Sequence, residues 1–297
     1  AGMTQETMKI AYLSAYSVLP ENPNRRSDAF EHDLQFACLS EPLKAAGYEL
    51  VVVQWDRTDV DWAQFDAALI GATWDYTDKP DVFLARLEEI EALGVPIFKP
   101  SSLVRWNSRK TYLRELEDKG IACIPTMWAD RPTADELKTA FDTLKTEQVV
   151  VKRQVGAGAG GQILIHRDDS LSDYAHPAMI QPFMPSIQEE GEYSFIMVDG
   201  ELSHALIKRA KSGDYRIQSA YGGYEEPIVP SADDLAAAKS VLAALDETPL
   251  YARVDMIRGN NGHLLLMELE LIEPYLYPEQ SDELGVLVFR ALCKRVR

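Results

Sequence analysis

Apolar and polar positions along the chain fall into two regimes. Residues 8–15 form a short apolar run, residues 30–46 carry apolar side chains at helical intervals up to Gly47, and a strand-like run follows at 50–54. Residues 67–71 then read as a buried strand, 81–93 as a helix ended by Gly94, and 96–99 as another short strand. Strand and helix alternate throughout, which predicts a small parallel α/β lobe over residues 8–100.

From Ser101 the pattern changes. Residues 107–119 predict a helix closed by Gly120, 133–146 another helix, and 149–152 a strand. Hairpin signals then dominate. Residues 162–166 alternate, as do 193–198, and the latter run passes through Asp199-Gly200 into 202–209, a dipeptide suited to a two-residue hairpin turn. A helix over 232–245 precedes two further strands at 251–258 and 263–271. No internal repeat or low-complexity stretch is present.

At 297 residues the chain has room for two or three lobes. With 46% hydrophobic and 26% charged residues it has the composition of a globular protein, and no apolar run approaches the length of a membrane span. Ala1 and Gly2 ahead of Met3 read as an addition to the native start, and no secretory pattern follows. Cys38, Cys123 and Cys293 lack metal-type spacing, so reduced thiols in the cytoplasm are the expectation. The charge of −17, from 47 acidic and 30 basic residues, repels a long polyanion and argues against a nucleic-acid partner. A small polyanion would need a few converging cations and a divalent metal.

Gly156, Gly158 and Gly161 match a dinucleotide fingerprint in spacing, but they lead into a β-branched, strand-like run rather than a helix. The order is strand, glycine loop (Gly156, Gly158, Gly160, Gly161), strand. Such a loop can fold its N–H groups over phosphates, with Lys152 on the incoming strand as a point charge. A plain flexible hairpin fits the same residues equally well.

In the C-terminal hairpin Glu268 and Glu270 share one strand face, and pairing through residues 259–262 brings Asp255 near them, to within about a residue of register. Three acids on an otherwise apolar hairpin are costly without a cation. Oxygen-only donors suit Mg²⁺ or Mn²⁺ held jointly with phosphate. A solvated strand face is the plainer reading, which the apolar flanks disfavour. Arg253 lies on the face of Asp255, placed to stabilise charge on a phosphoryl group.

Lys110, in the first turn of the helix predicted from residue 107, opposes the helix dipole, which a nearby phosphate would explain; a solvated lysine fits the spacing too. Alternation turns one of Lys208 and Arg209 inward without deciding which. Trp74, Asp75 and Tyr76 follow the strand ending at Gly71, where open α/β sheets place ligands; a core Trp with an Asp capping the next helix is the competing reading. None of the five histidines has a metal or hydrolase spacing.

A lysine-bearing helix start, a strand lysine with a glycine loop, and a late Asp followed by Glu-x-Glu together resemble the ATP-grasp superfamily, over nearly the whole chain from Met8. The glutathione synthetase-like branch is most similar. Trp74-Asp-Tyr, Val104-Arg-Trp-Asn, Gln181-Pro-Phe-Met, Gly191-Glu-Tyr-Ser and Glu268-Leu-Glu-Leu-Ile-Glu-Pro look like the subfamily containing the cyclo-ligase of cycloserine biosynthesis.

The resemblance implies an ATP-grasp fold: a pre-ATP-grasp lobe at residues 8–100, then an ATP-grasp unit at 101–297, split into a small lobe (about 101–184) and a C-terminal lobe (about 185–297). It implies that Lys110 and Lys152 contact ATP phosphates beneath the glycine loop, and that Gln181 starts a hinge whose Phe183 and Met184 backbone meets adenine. Glu192 would accept from the ribose, and Asp255, Glu268 and Glu270 would bind metal. Glu270 stands where the superfamily usually has Asn. Arg216 would sit by the transferred phosphoryl group, with the turn at Gly222 and Gly223 presenting N–H groups to the acyl phosphate; Gln218 replaces the usual Asn there.

The implied activity is an ADP-forming ligase that phosphorylates a carboxylate of a small amino-acid-like substrate and passes the acyl group to an amine or related nucleophile, with ATP and Mg²⁺ as cofactors. A small-molecule kinase would use the same nucleotide site, and a regulatory nucleotide-binding protein would show no turnover.

Overall fold

We describe the protein from a computed structural model covering residues 7–156, 162–210 and 223–296. The first sheet is parallel, with order β2-β1-β3-β4, from β1 (Lys9–Ser14), β2 (Glu49–Gln54), β3 (Ala67–Ile70) and β4 (Ile97–Phe98). α1 (Ala29–Ala45) and α2 (Pro80–Ala92) connect its strands. Both helices end where expected, because Gly47 (φ +84°) and Gly94 (φ +83°) adopt the left-handed conformation that closes a helix.

Of the helix predicted over 107–119, α4 (Tyr112–Asp118) is present, but residue 107 ends a separate helix, α3 (Ser101–Asn107), and a turn lies between them. Tertiary hydrogen bonds hold that turn. Asn107 Nδ2 donates to Leu269 O (2.9 Å) and its Oδ1 accepts from Leu271 N (3.1 Å), while Lys110 N donates to Gln154 O (2.8 Å). Lys110 therefore lies in the turn ahead of α4, not in a helical first turn.

β5 (Met127–Asp130), β6 (Gln148–Arg153), β7 (Ile163–His166) and β8 (Pro177–Pro182) form a second, antiparallel sheet in the order β5-β8-β6-β7. α5 (Ala134–Thr143) packs Leu137, Ala140 and Phe141 onto Val149, Val151 and Ile180. Short α6 (Ser186–Glu189) leads into the third sheet. Its order is β11-β10-β9-β12-β13, from β9 (Glu192–Val198), β10 (Glu201–Arg209), β11 (Tyr224–Ile228), β12 (Tyr251–Arg258) and β13 (Leu264–Glu270), all antiparallel. α7 (Ala232–Ala243) and the C-terminal α8 (Leu284–Arg295) complete the chain. Asp199 and Gly200 both have positive φ, as a twist-matched hairpin turn requires.

The two faces of the third sheet differ in chemistry. Tyr193, Phe195, Met197, Ala252, Val254 and Met256 bury one face against α7 and against Leu113 and Leu116 of α4. On the other, Ile196, Val198 and Tyr251 pack with β1, β3, α1 and α8. Tyr251 Oη donates to Ile70 O (3.1 Å), fixing the carboxyl end of β3 over this face. Beyond that apolar half the same face turns polar, at Glu192, Ser194, Arg253 and Asp255. Among the described residues no helix is long and apolar enough to cross a membrane.

Candidate active site

A β-bulge assembles the acidic cluster. Leu264, Leu265 and Leu266 pair with Arg258, Ile257 and Met256, but the register then shifts, so that Glu268 faces Asp255 and Glu270 faces Arg253. Met267 is the extra residue. Before it, Leu264 and Leu266 point into the core; after it, Leu269 and Leu271 do, and the glutamates turn to the polar face. Carboxylate oxygens of Asp255, Glu268 and Glu270 lie within 4.8 Å of one another. Three hard, anionic oxygen donors suit Mg²⁺ or Mn²⁺ and no softer metal.

Cations already surround these acids. Arg253 Nε lies 3.0 Å from Asp255 Oδ1 and its Nη2 3.1 Å from Oδ2, while Nη2 also reaches Glu270 Oε2 (2.8 Å) and Nη1 donates to Tyr275 O (3.1 Å). Ser194 Oγ donates to Asp255 Oδ1 (2.6 Å). Burial alone would push the Asp255 carboxyl up, but Arg253, Lys208 and the Ser194 hydrogen bond hold it below the ordinary range. Burial pushes Glu270 up to about 7, with Glu268 and Asp255 adding to the shift and Arg253 opposing it.

Lys208, not Arg209, is the inward cation. Its Nζ lies 3.1 Å from Glu192 Oε1 and 3.9 Å from Asp255 Oδ2, whereas Arg209 turns out to Glu226 and Glu190 O. Burial opposes the charge on Lys208, but Asp255 and Glu192 hold its pKa above the usual lysine value. Burial pushes Glu192 up to about 7 against the pull of Lys208.

Lys110 and Lys152 arrive from other elements. The Lys110 N–H bond to Gln154 O ties the α3–α4 turn to the end of β6, the strand that carries Lys152, and Lys110 Nζ lies 3.4 Å from Glu268 Oε1. Burial, with the charge of Lys110 beside it, pushes Lys152 down to about 8, although Glu268 and Glu192 pull the other way. Tyr112 Oη accepts from Leu269 N (2.8 Å), so Asn107 and Tyr112 together satisfy the outer edge of β13 and hold its glutamates in place.

Gln181 is buried and donates to Thr126 Oγ1 (3.0 Å), lining a separate cleft with Arg114, Trp128 and Leu266. The Phe183 N–H donates to Gln148 O (2.9 Å), and Met184 packs with Ile124 and Ile257 where the second and third sheets meet. Gly156 has φ +123° and borders the acidic cleft. Gly158, Gly160, Gly161, Arg216, Gln218 and Gly222 lie outside the described residues.

Tyr76 and Glu273 line one narrow cleft with Lys110, Glu268 and Glu270. Asp75 does not cap α2, because its Oδ1 accepts from Trp55 Nε1 (2.8 Å) and Lys79 occupies the cap position. The sequence reading passed over Lys99, which is 2% exposed, has no hydrogen-bond partner for Nζ, and sits 4.3 Å above the Tyr251 ring. Its only sequence signal is a charge at the end of an apolar strand.

Comparison with known proteins gives this geometry a family. Residues 10–99 match the family described as the D-cycloserine synthetase DcsG N-terminal domain, and residues 145–274 match the prokaryotic glutathione synthetase ATP-grasp domain. The chain is similar to the ATP-grasp ligases. It is 27% identical to the cycloserine biosynthesis protein DcsG of Streptomyces lavendulae over 285 residues, 89% of this chain and 95% of that protein. The crystal structure of D-cycloserine synthetase DcsG superposes with TM-score 0.80 at 24% identity, covering 97% of this chain and all of that one. D-alanine–D-alanine ligase from Bacillus anthracis, solved with ATP, gives 0.66 at 19% identity, covering 97% and 95%. This ATP-grasp chain is thus an ADP-forming ligase of the glutathione synthetase-like branch.

Proposed function

We propose that this ligase phosphorylates the carboxylate of a small amino-acid-like substrate and joins the acyl group to a nitrogen or oxygen nucleophile. The observation that carries the proposal is the bulge at Met267, which places Glu268 and Glu270 beside Asp255 and Arg253, under Lys110 and close to Lys152.

Lys152 and Lys110 hold the ATP phosphates, with Gly156 at the edge of the same cleft. The hinge after Gln181 meets adenine through Phe183 O and the Met184 backbone, since the Phe183 N–H is committed to Gln148. Glu192, oriented by Lys208, accepts from the ribose. Asp255, Glu268 and Glu270 would hold Mg²⁺ or Mn²⁺, which when bound supplies positive charge to the phosphate oxygens. Arg253 stabilises charge on the transferring phosphoryl group, joined by Arg216.

A substrate carboxylate oxygen attacks the γ-phosphorus and ADP leaves, giving an acyl phosphate. The nucleophile then attacks the acyl carbon, and inorganic phosphate departs as the C–O bond breaks. No covalent enzyme intermediate is needed.

The test is a screen of amino acids and dipeptides for stimulated release of ADP and phosphate with Mg²⁺. Release of both with a coupled product supports the ligase chemistry, a stable phosphorylated product points to a kinase, and ATP binding with no stimulated release removes the proposal.

A further inference from the structure

Glu192 opens β9 and is paired along one side only. The ladder between β9 and β10 runs to Glu192 and Lys208, whereas the ladder between β9 and β12 stops one residue earlier, at Tyr193 and Met256. Strand ends fray unless something ties them down, yet a buried acid held 3.1 Å from Lys208 needs a fixed backbone. The anchor lies on the opposite face of the sheet.

Arg258, at the end of β12, spends its whole guanidinium there. Its Nη1 and Nη2 make a parallel pair of bonds to Asp234 Oδ1 (3.1 Å) and Oδ2 (2.9 Å) in the first turn of α7. Nη1 also reaches Gly262 O (3.0 Å). Nε donates to Glu190 Oε1 (3.0 Å), and Nη2 donates to Tyr193 Oη (3.1 Å), whose own proton goes to Glu190. A guanidinium forked onto a carboxylate in this way fixes direction as well as charge.

Glu190 and Tyr193 flank the acid in sequence. The Glu190 carbonyl accepts from Arg209 Nη1 (2.5 Å). Gly191 has φ +115° and lies so close to β10 that a Cβ would fall 2.7 Å from Lys208 O. Every neighbour of Glu192 is therefore pinned: Glu190 by side chain and carbonyl, Gly191 by close approach, Tyr193 by its hydroxyl. An isolated surface ion pair contributes little, but Arg258 is only 26% exposed and joins three segments of chain around one site.

We infer that Arg258 is a positioning residue for nucleotide binding: acting through Glu190 and Tyr193 from behind the sheet, it holds the start of β9 so that the Glu192 carboxylate meets the ribose hydroxyls. The inference rests on the reading of Glu192 as the ribose acceptor and adds the residue that fixes it. Arg258 touches no nucleotide itself, because it shares its face with Tyr193 and α7 while Glu192 lies on the other.

Binding of ATP and of 2′,3′-dideoxy-ATP to the full chain with Mg²⁺ tests this, since the two ligands differ only in the hydroxyls that Glu192 receives. The wild-type protein should bind ATP about tenfold or more tightly than the dideoxy compound. Arg258→Met should bring the two Kd values to within about twofold of each other by weakening ATP alone, and Tyr193→Phe, which keeps the ring, should narrow the ratio in the same direction. A general loss of folding weakens both ligands together and leaves their ratio unchanged, so the ratio reports position and not stability. If Arg258→Met and Tyr193→Phe keep the wild-type ratio, the positioning role falls while the ribose reading stands. If the wild-type protein binds both ligands equally, the ribose reading falls and the inference with it.

Discussion

The ammonium of Lys208 lies 3.1 Å from the carboxylate of Glu192, its direct cross-strand partner, and both side chains are less than one tenth exposed. With Asp255 Oδ2 3.9 Å away, Lys208 compensates two buried acids at once. Removing one member of a buried ionic group costs about 3–5 kcal/mol, because the remaining charges are left unpaired. Lys208→Met should therefore destabilise the metal-free protein by about that much at pH 8. The loss should shrink at pH 5.5, where Glu192 takes a proton. Denaturant unfolding at the two pH values measures the difference.

Lys152 should make nucleotide binding sensitive to pH on the alkaline side. Its folded pKa of about 8 lies below the ordinary lysine value, because burial and Lys110 disfavour its charge. Only the protonated amine attracts phosphate, so ATP affinity should fall as pH rises through about 8. Lys152→Arg keeps its charge throughout that range and should flatten the profile. Titration of a fluorescent ATP analogue between pH 7 and 9.5 reads this directly.

Parity along a strand was legible in the sequence, but the places where parity breaks were not. The turn at Asp199-Gly200 and the alternation of β9 and β10 follow from residue type. Yet Ser203 is skipped in the pairing, since Leu202 pairs with Met197 and His204 with Ile196. Counting from Leu202 without that bulge would have sent Arg209 inward instead of Lys208. The bulge at Met267 likewise fixes the register of the three acids, which the sequence left uncertain by a residue. Bulges follow from packing on both faces of the sheet, which no local window contains. The break between α3 and α4 has the same origin, because Asn107 bonds to a strand more than 160 residues away. β8 is short and bounded by Pro177 and Pro182, and its apolar run gives no period to read.

Glu270 should couple metal binding to pH on the acid side. Burial holds its pKa up to about 7, and a divalent cation needs the ionised carboxylate. The Mg²⁺ concentration for half-maximal activity should thus be higher at pH 6 than at pH 8. Glu270→Gln should lower activity and raise the Mg²⁺ requirement by about tenfold or more at pH 8. An unchanged Mg²⁺ titration in the variant would remove Glu270 from the metal site.

Lys99 gives the clearest case of stability set against placement of charge. Its Nζ is buried with no hydrogen-bond partner, facing the Tyr251 ring on one side and within electrostatic reach of Glu270 and Glu273. Burial drives its folded pKa well below the ordinary value of 10.5, with the two glutamates opposing. The unfolded chain then binds more protons than the folded one at any pH between those two values, so this residue's penalty eases as pH rises toward 10.5. Lys99→Met fills similar space without the orphaned amine and should stabilise the protein by about 1–3 kcal/mol at pH 7. The gain should be smaller at pH 9.5, and calorimetric melting at both values measures it.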